Sequence, residues 1–89
     1  MKIVFDESFS KTLSKIKDES LNSKIENIIS DLKSISDLKD YPKVKKLSGY
    51  KTYYRIRIGD YRIGLKKTGS NKIKIIIISH RKDIYKYFP

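Results

Sequence analysis

Arg55, Arg57 and Arg62 flank a Gly59-Asp60 pair, and from Tyr53 onward apolar and polar residues alternate with a period of two. A two-residue loop of the I′ or II′ kind at Gly59-Asp60 sets Ile58 opposite Tyr61, Arg57 opposite Arg62, Ile56 opposite Ile63 and Arg55 opposite Gly64. Three guanidinium groups then stand on one face of a sheet. Like charges directly opposed across strands are destabilising, and the one carboxylate in this stretch, Asp60, sits in the turn. A phosphate would offset that repulsion, because the planar guanidinium fork matches phosphate oxygens bidentately. The competing reading is that the arginines splay into water at little cost.

Further along stand His80, Arg81 and Tyr85. His80 is the sole histidine, and its imidazole titrates near neutral pH, which suits a general acid or base. Its face depends on an isoleucine run without a clear period. If Ile73, Ile75 and Ile77 face the helices, His80 shares the parity of Lys74, Ile76 and Ile78 and joins the arginine side. A lone histidine is otherwise structural or simply exposed. Arg81 either binds a phosphate or is solvated, and Tyr85 either folds over the arginine face or serves as an apolar anchor. Gly64 either admits a ribose or base against the sheet or marks a bulge. The surrounding RNA-binding set is expected to comprise Lys46, Lys51, Tyr53, Lys66, Lys74 and Lys82.

Other chemistries fail on inventory. The only glycines are Gly49, Gly59, Gly64 and Gly69, so neither a phosphate loop nor a dinucleotide fingerprint exists. With no cysteine and one histidine, a metal site is weakly supported, and no cofactor is expected. A serine nucleophile flanked by glycines is missing. What a basic surface can do unaided is cleave RNA through the RNA's own 2′-hydroxyl. It would orient that hydroxyl in line with phosphorus, neutralise the pentavalent transition state and shuttle protons.

The elements that must position these residues form one domain, 1–89. A chain this short buries only about 60 % of its extended surface, which argues against a deep cofactor pocket. Phe9, Leu13 and Ile16 make one helical face, with Asp6 or Ser8 as N-cap; Leu21, Ile25, Ile28, Leu32 and Ile35 make a longer one, started by Ser20 or Asp18. These two are expected to form a helical hairpin across one face of a sheet. Asp40-Tyr41-Pro42 ends the helical region and Ser48-Gly49 reads as a turn. An antiparallel meander follows, whose third strand, Lys72 to Ser79, is isoleucine-rich and expected to be central. A short first strand at residues 2–5 and a C-terminal helix or turn complete an α+β fold with the helices on one face.

Charge gives the partner class. Residues 1–42 hold 7 Lys/Arg against 8 Asp/Glu, whereas residues 43–89 hold 14 against 2. That asymmetry points to a polyanion: nucleic acid first, an acidic protein second, an anionic membrane third. The longest purely aliphatic run, Ile75 to Ile78, is far below the roughly 20 residues of a membrane span. Asp6-Glu7 interrupts any signal-peptide apolar region, and the absence of cysteine suits a reducing compartment. A soluble, cytoplasmic protein without membrane contact is expected.

Three segments carry a family resemblance: Lys46-Leu47-Ser48-Gly49-Tyr50, the run from Tyr53 to Ile63, and His80-Arg81-Lys82-Asp83-Ile84-Tyr85. On these the chain resembles the RelE family of type II toxin–antitoxin modules, in its short archaeal and cyanobacterial branch, over nearly its whole length. The resemblance implies a RelE-like microbial RNase fold and a metal-free endoribonuclease, an mRNA interferase acting in many members on the ribosome. The product would carry a 2′,3′-cyclic phosphate. It also implies a separate RelB-like antitoxin, whose complex with the toxin binds operator DNA through the antitoxin. By position, the family's paired basic residues fall on Arg55 and Arg57, its next arginine on Arg62, its late arginine on Arg81 and its tyrosine on Tyr85. Relatives often carry lysine where Arg55 and Arg57 stand. Arginine does not lose its proton in proteins, so His80 or Tyr85 is left to move protons. Rival readings are a ParE-like toxin that inhibits gyrase by protein contact, and a non-catalytic member that only holds RNA or antitoxin.

Overall fold

A computed structural model describes all 89 residues. The elements run β1 (Lys2–Phe5), α1 (Glu7–Ser14), α2 (Glu19–Ser34), β2 (Val44–Lys46), β3 (Tyr53–Ile58), β4 (Tyr61–Gly69), β5 (Lys72–His80) and α3 (Ile84–Tyr87), with a 3₁₀ turn at Leu38–Asp40. The fold is α+β, as the sequence patterns require.

α1 and α2 each begin where an aspartate satisfies free backbone donors. The Asp6 carboxylate accepts from the Ser8 N–H at 3.0 Å. Asp18 accepts from the Ser20 N–H at 3.1 Å and the Ser20 hydroxyl at 2.7 Å. The aspartates, rather than the neighbouring serines, are therefore the caps. Hydrogen bonds from Ser8 lower the Asp6 pKa, and those from Ser20 lower that of Asp18, below the ordinary 3.8. The stripes behind these caps, Phe9 on α1 and Leu21, Ile25, Ile28 and Leu32 on α2, are buried together against Ile56, Ile63, Leu65, Ile73 and Ile75 of the sheet.

The five strands lie in the order β1-β5-β4-β3-β2, β1 parallel to β5 and every other pair antiparallel. β5 is thus an inner strand, paired on both sides, while β4 is the middle one. Gly59 has φ +59° and no non-glycine residue has positive φ, so the β3–β4 loop is of type II′. The four cross-strand pairs deduced from that loop are all present, including Arg57 opposite Arg62.

One residue changes the outcome on β5. Gly64 pairs with Ile77 but Leu65 pairs with Ile75, leaving Ile76 as the extra residue of a bulge. Because side chains alternate at every residue, one insertion inverts all later ones. Ile78 therefore enters the helix-side core. Ile77 instead joins a second small core with Leu47, Ile84 and Phe88. His80 pairs with Tyr61. The expectation that His80 shares the arginine face is thereby corrected: the parity rule holds only up to the bulge.

The second core lies on the side of the sheet opposite α1 and α2 and anchors α3 there. A β-carbon on Gly64 would lie 2.7 Å from Cγ and Cδ2 of Phe88. Gly64 sits at the bulge, as one reading of it supposed, but the chain's own Phe88 ring occupies the space proposed for a ribose or base. β2 lies outside the sequence-based expectations, because the alternation of a three-residue strand is too short to stand out.

Candidate nucleic-acid interface

Local hydrogen bonds aim the arginines. Arg62 Nη1 donates to the Gly59 carbonyl at 2.9 Å and the Tyr61 carbonyl at 2.8 Å, which pins the guanidinium to the type II′ loop. Burial first, then the charges of Arg55 and Arg57, lower the Arg62 pKa from its ordinary value, and Arg81 acts in the same direction. The group remains a cation, since arginine does not deprotonate in proteins. Its perturbation means that Arg55, Arg57, Arg62 and Arg81 share one electrostatic field.

Arg55 Nε donates to the Tyr85 hydroxyl at 3.1 Å. That bond bridges β3 and α3 and brings Tyr85 over the arginine face. Because the phenolic oxygen is the acceptor, its own proton is free to point outward. The Arg81 backbone N–H donates to the Asp60 carbonyl at 2.8 Å, placing residue 81 beside the hairpin loop. Its guanidinium comes only within 3.9 Å of the Asp60 carboxylate, both groups being more than half exposed. A pair so long and so wet is strongly screened, and Asp60 does not neutralise the row.

An open cleft of about 430 Å³ beside the loop is lined by Lys43, Arg57, Gly59, Asp60, Arg62 and Arg81, without one apolar residue. A neighbouring cleft of about 490 Å³ runs along β2 past Lys43, Lys45, Arg55 and Arg57. Lys45 pairs directly with Arg55, and the Lys43 carbonyl accepts from the Arg57 N–H at 3.2 Å. Lys43 and Lys45 are thus part of the cationic face, although the sequence reading did not select them. The signal available was their alternation about Val44 just after Pro42.

The other sequence-selected residues divide. Lys46 lines a cleft with Arg55 and Tyr85. Lys51 and Lys82 are exposed. Tyr53 packs edge-to-face on Phe88 at 5.5 Å between ring centroids. Lys66 lies over the Tyr53 ring at 5.4 Å, and Lys74 pairs with Asp6 at 3.1 Å. Phe88, seated on Gly64, stands between Arg62 and Lys66 along β4. The structure therefore separates Lys66 and Lys74 from the arginine row. His80 makes an edge contact with Tyr61 at 5.7 Å, and its Nδ1 accepts from the Lys82 N–H at 3.2 Å. It lines a cleft at the end of the sheet with Thr12, Lys15 and Ile16 from the helical side and Tyr87 of α3. No three histidine, aspartate or glutamate side chains converge as a metal site. No helix is long and apolar enough to cross a membrane.

Residues 3–85 match a family model described as the ParE toxin of the type II toxin–antitoxin system parDE. Toxin RelE3 of Methanocaldococcus jannaschii is 39 % identical over 90 residues, covering 100 % of both chains. The fold superposes on the toxin of the RelB–RelE antitoxin–toxin complex from Methanococcus jannaschii with a TM-score of 0.79 and 36 % identity, covering 97 % of this chain and 99 % of that one. It also superposes on the RelE–RelB complex from Pyrococcus horikoshii OT3, with a TM-score of 0.70 and 22 % identity over 90 % and 93 % of the two chains; that likeness shows the fold alone.

Proposed function

This chain belongs to the RelE/ParE family of type II toxins, and from that premise we propose that it is a metal-independent endoribonuclease that cuts messenger RNA on the ribosome. The observation that carries the reading is the cluster of Arg55, Arg57, Arg62 and Arg81 on one open face with the Tyr85 hydroxyl among them. A gyrase-binding surface has no need of mutually repelling guanidinium groups; a phosphodiester does.

In the proposed reaction Arg62 and Arg81 hold the scissile phosphate, and Arg55 and Arg57 hold its neighbours. The 2′-oxygen forms a bond to phosphorus while the bond from phosphorus to the 5′-oxygen breaks, giving a 2′,3′-cyclic phosphate and a 5′-hydroxyl. Guanidinium groups already in place stabilise the added negative charge without reorganising. Tyr85 gives its outward proton to the departing 5′-oxygen, and the Arg55 N–H on the phenolic oxygen stabilises the phenolate left behind. Solvent water takes the proton from the 2′-hydroxyl. His80, on the other face, shapes the turn that carries Arg81 and touches no reacting atom.

The partner that silences the toxin is a separate RelB-like antitoxin with an acidic segment suited to this face, and the pair binds its operator DNA through the antitoxin. Primer extension on cellular mRNA after induction tests the activity. Discrete cuts in wild type that vanish in folded Arg62→Ala and Arg81→Ala proteins, with recovered growth, are expected. Because the matching family model is described as a ParE toxin, a gyrase supercoiling assay is the natural control. Lost supercoiling without mRNA cuts would replace the nuclease reading with gyrase inhibition.

A further inference from the structure

Where the β2–β3 connection meets α3, a cleft of about 420 Å³ adjoins the arginine row and shares Arg55 and Tyr85 with it. Its lining combines Leu47, Tyr50 and Tyr85 with Lys45, Ser48 and Arg55. The volume falls within the range of sites that enclose small planar ligands. Tyr50 is 48 % exposed and Tyr85 63 % exposed, so two aromatic rings stand partly bare in a strongly cationic setting.

Tyr50 is held in place before any ligand arrives. Its ring meets that of Tyr53 edge-on at 5.6 Å and 89°, and Tyr53 in turn meets Phe88 at 5.5 Å and 84°. Phe88 is itself buried on Gly64. The turn before Tyr50 is closed by its N–H donating to the Leu47 carbonyl at 3.3 Å, with Gly49 at φ +82° as a type II turn requires. A ring positioned in this way loses little freedom when something stacks on it.

Arg55 belongs both to this cleft and to the groove along β2. A phosphate on Arg55 therefore delivers its attached nucleoside to the cleft. We propose that the cleft receives an unpaired nucleobase of the substrate RNA adjoining the scissile phosphate, with Tyr50 stacking on the base and Lys45 neutralising the nucleotide's phosphate. This rests on the nuclease reading and adds a residue to it. Every base has a π-face, so the contact strengthens binding without selecting a sequence.

The test uses the full chain and uncleavable 2′-O-methyl RNA oligonucleotides, intact or with a single abasic position moved along the strand, with affinity read by fluorescence anisotropy at fixed salt. Tyr50→Leu should weaken binding by about 5- to 150-fold, the usual worth of one stacked base, while Tyr50→Phe retains wild-type affinity. One abasic position should reproduce the loss in wild type and show no further loss with Tyr50→Leu. Equal binding of intact RNA by Tyr50→Leu and wild type would overturn the subsite, as would additive losses at every abasic position. The second outcome would point to a surface for an acidic peptide. If Tyr50→Leu fails to fold, the abasic series on wild type decides: uniform affinity at all positions rejects the subsite. Absence of any RNA binding by wild type would overturn the subsite, while the nuclease reading stands or falls separately on the primer-extension result.

Discussion

Replacing Gly64 by alanine separates the observed packing from the usual rule for glycine. Glycine within a strand is destabilising by roughly 0.5–1 kcal/mol relative to alanine, so general propensity predicts a gain. Here the new β-carbon would fall 2.7 Å from Cγ and Cδ2 and 2.9 Å from Cδ1 of Phe88. Carbon atoms prefer about 3.5–4.0 Å, so the ring must move by most of an ångström against the rest of its cluster. Overpacking of this kind costs about 1–3 kcal/mol. The expected net result is destabilisation by about 1–2 kcal/mol after the propensity gain.

Phe88→Ala supplies the complement. The ring is 3 % exposed, and deleting a buried phenylalanine costs about 3–5 kcal/mol. In the double variant the alanine methyl enters space the ring has left, so the second substitution should carry no clash and recover the strand-propensity gain of roughly 0.5–1 kcal/mol. The interaction energy should reach about 1–3 kcal/mol. Urea denaturation followed by circular dichroism measures all four proteins. A more stable Gly64→Ala protein, or strictly additive effects, would refute the packing described. Since Phe88 ends the segment that carries Tyr85 to Arg55, RNA cleavage should fall alongside stability in both single variants.

Three other outcomes are expected. RNA affinity should decline with salt at a log–log slope of roughly −0.7 for each phosphate held, and a flat response would remove the arginine face from the mechanism. Tyr85→Phe should slow cleavage by about 10²–10⁴, the usual worth of a positioned proton donor, whereas His80→Ala, on the opposite face, should change it only a few-fold; single-turnover rates that reverse this order would reassign the proton. The lowered pKa values of Asp6 and Asp18 mean that their capping contribution is fully present above the ordinary 3.8 and is lost as pH falls through the folded values. Melting temperature should therefore drop below pH 3.8 in wild type and drop less in Asp18→Asn; parallel curves for the two proteins would contradict this.

Much of the fold was legible because its determinants are local. The stripes of α1 and α2, their aspartate caps and the β3–β4 register each follow from spacings within one element or across a two-residue loop. The grouping of Arg55, Arg57 and Arg62 came with that register, and the motif residues around them were enough for a family resemblance. His80 was misplaced because an isoleucine run looks the same on either face, and only the bulge at Ile76, set by pairing with β4, decides which. Phe88 on Gly64, Tyr85 on Arg55, and Lys43 and Lys45 beside the row depend on contacts between distant segments. Composition and period specify which side chains exist and how each strand alternates. Which strand slips by one residue, and which ring covers which glycine, depends on how separate elements fill a shared volume, and that emerges only when the chain is packed.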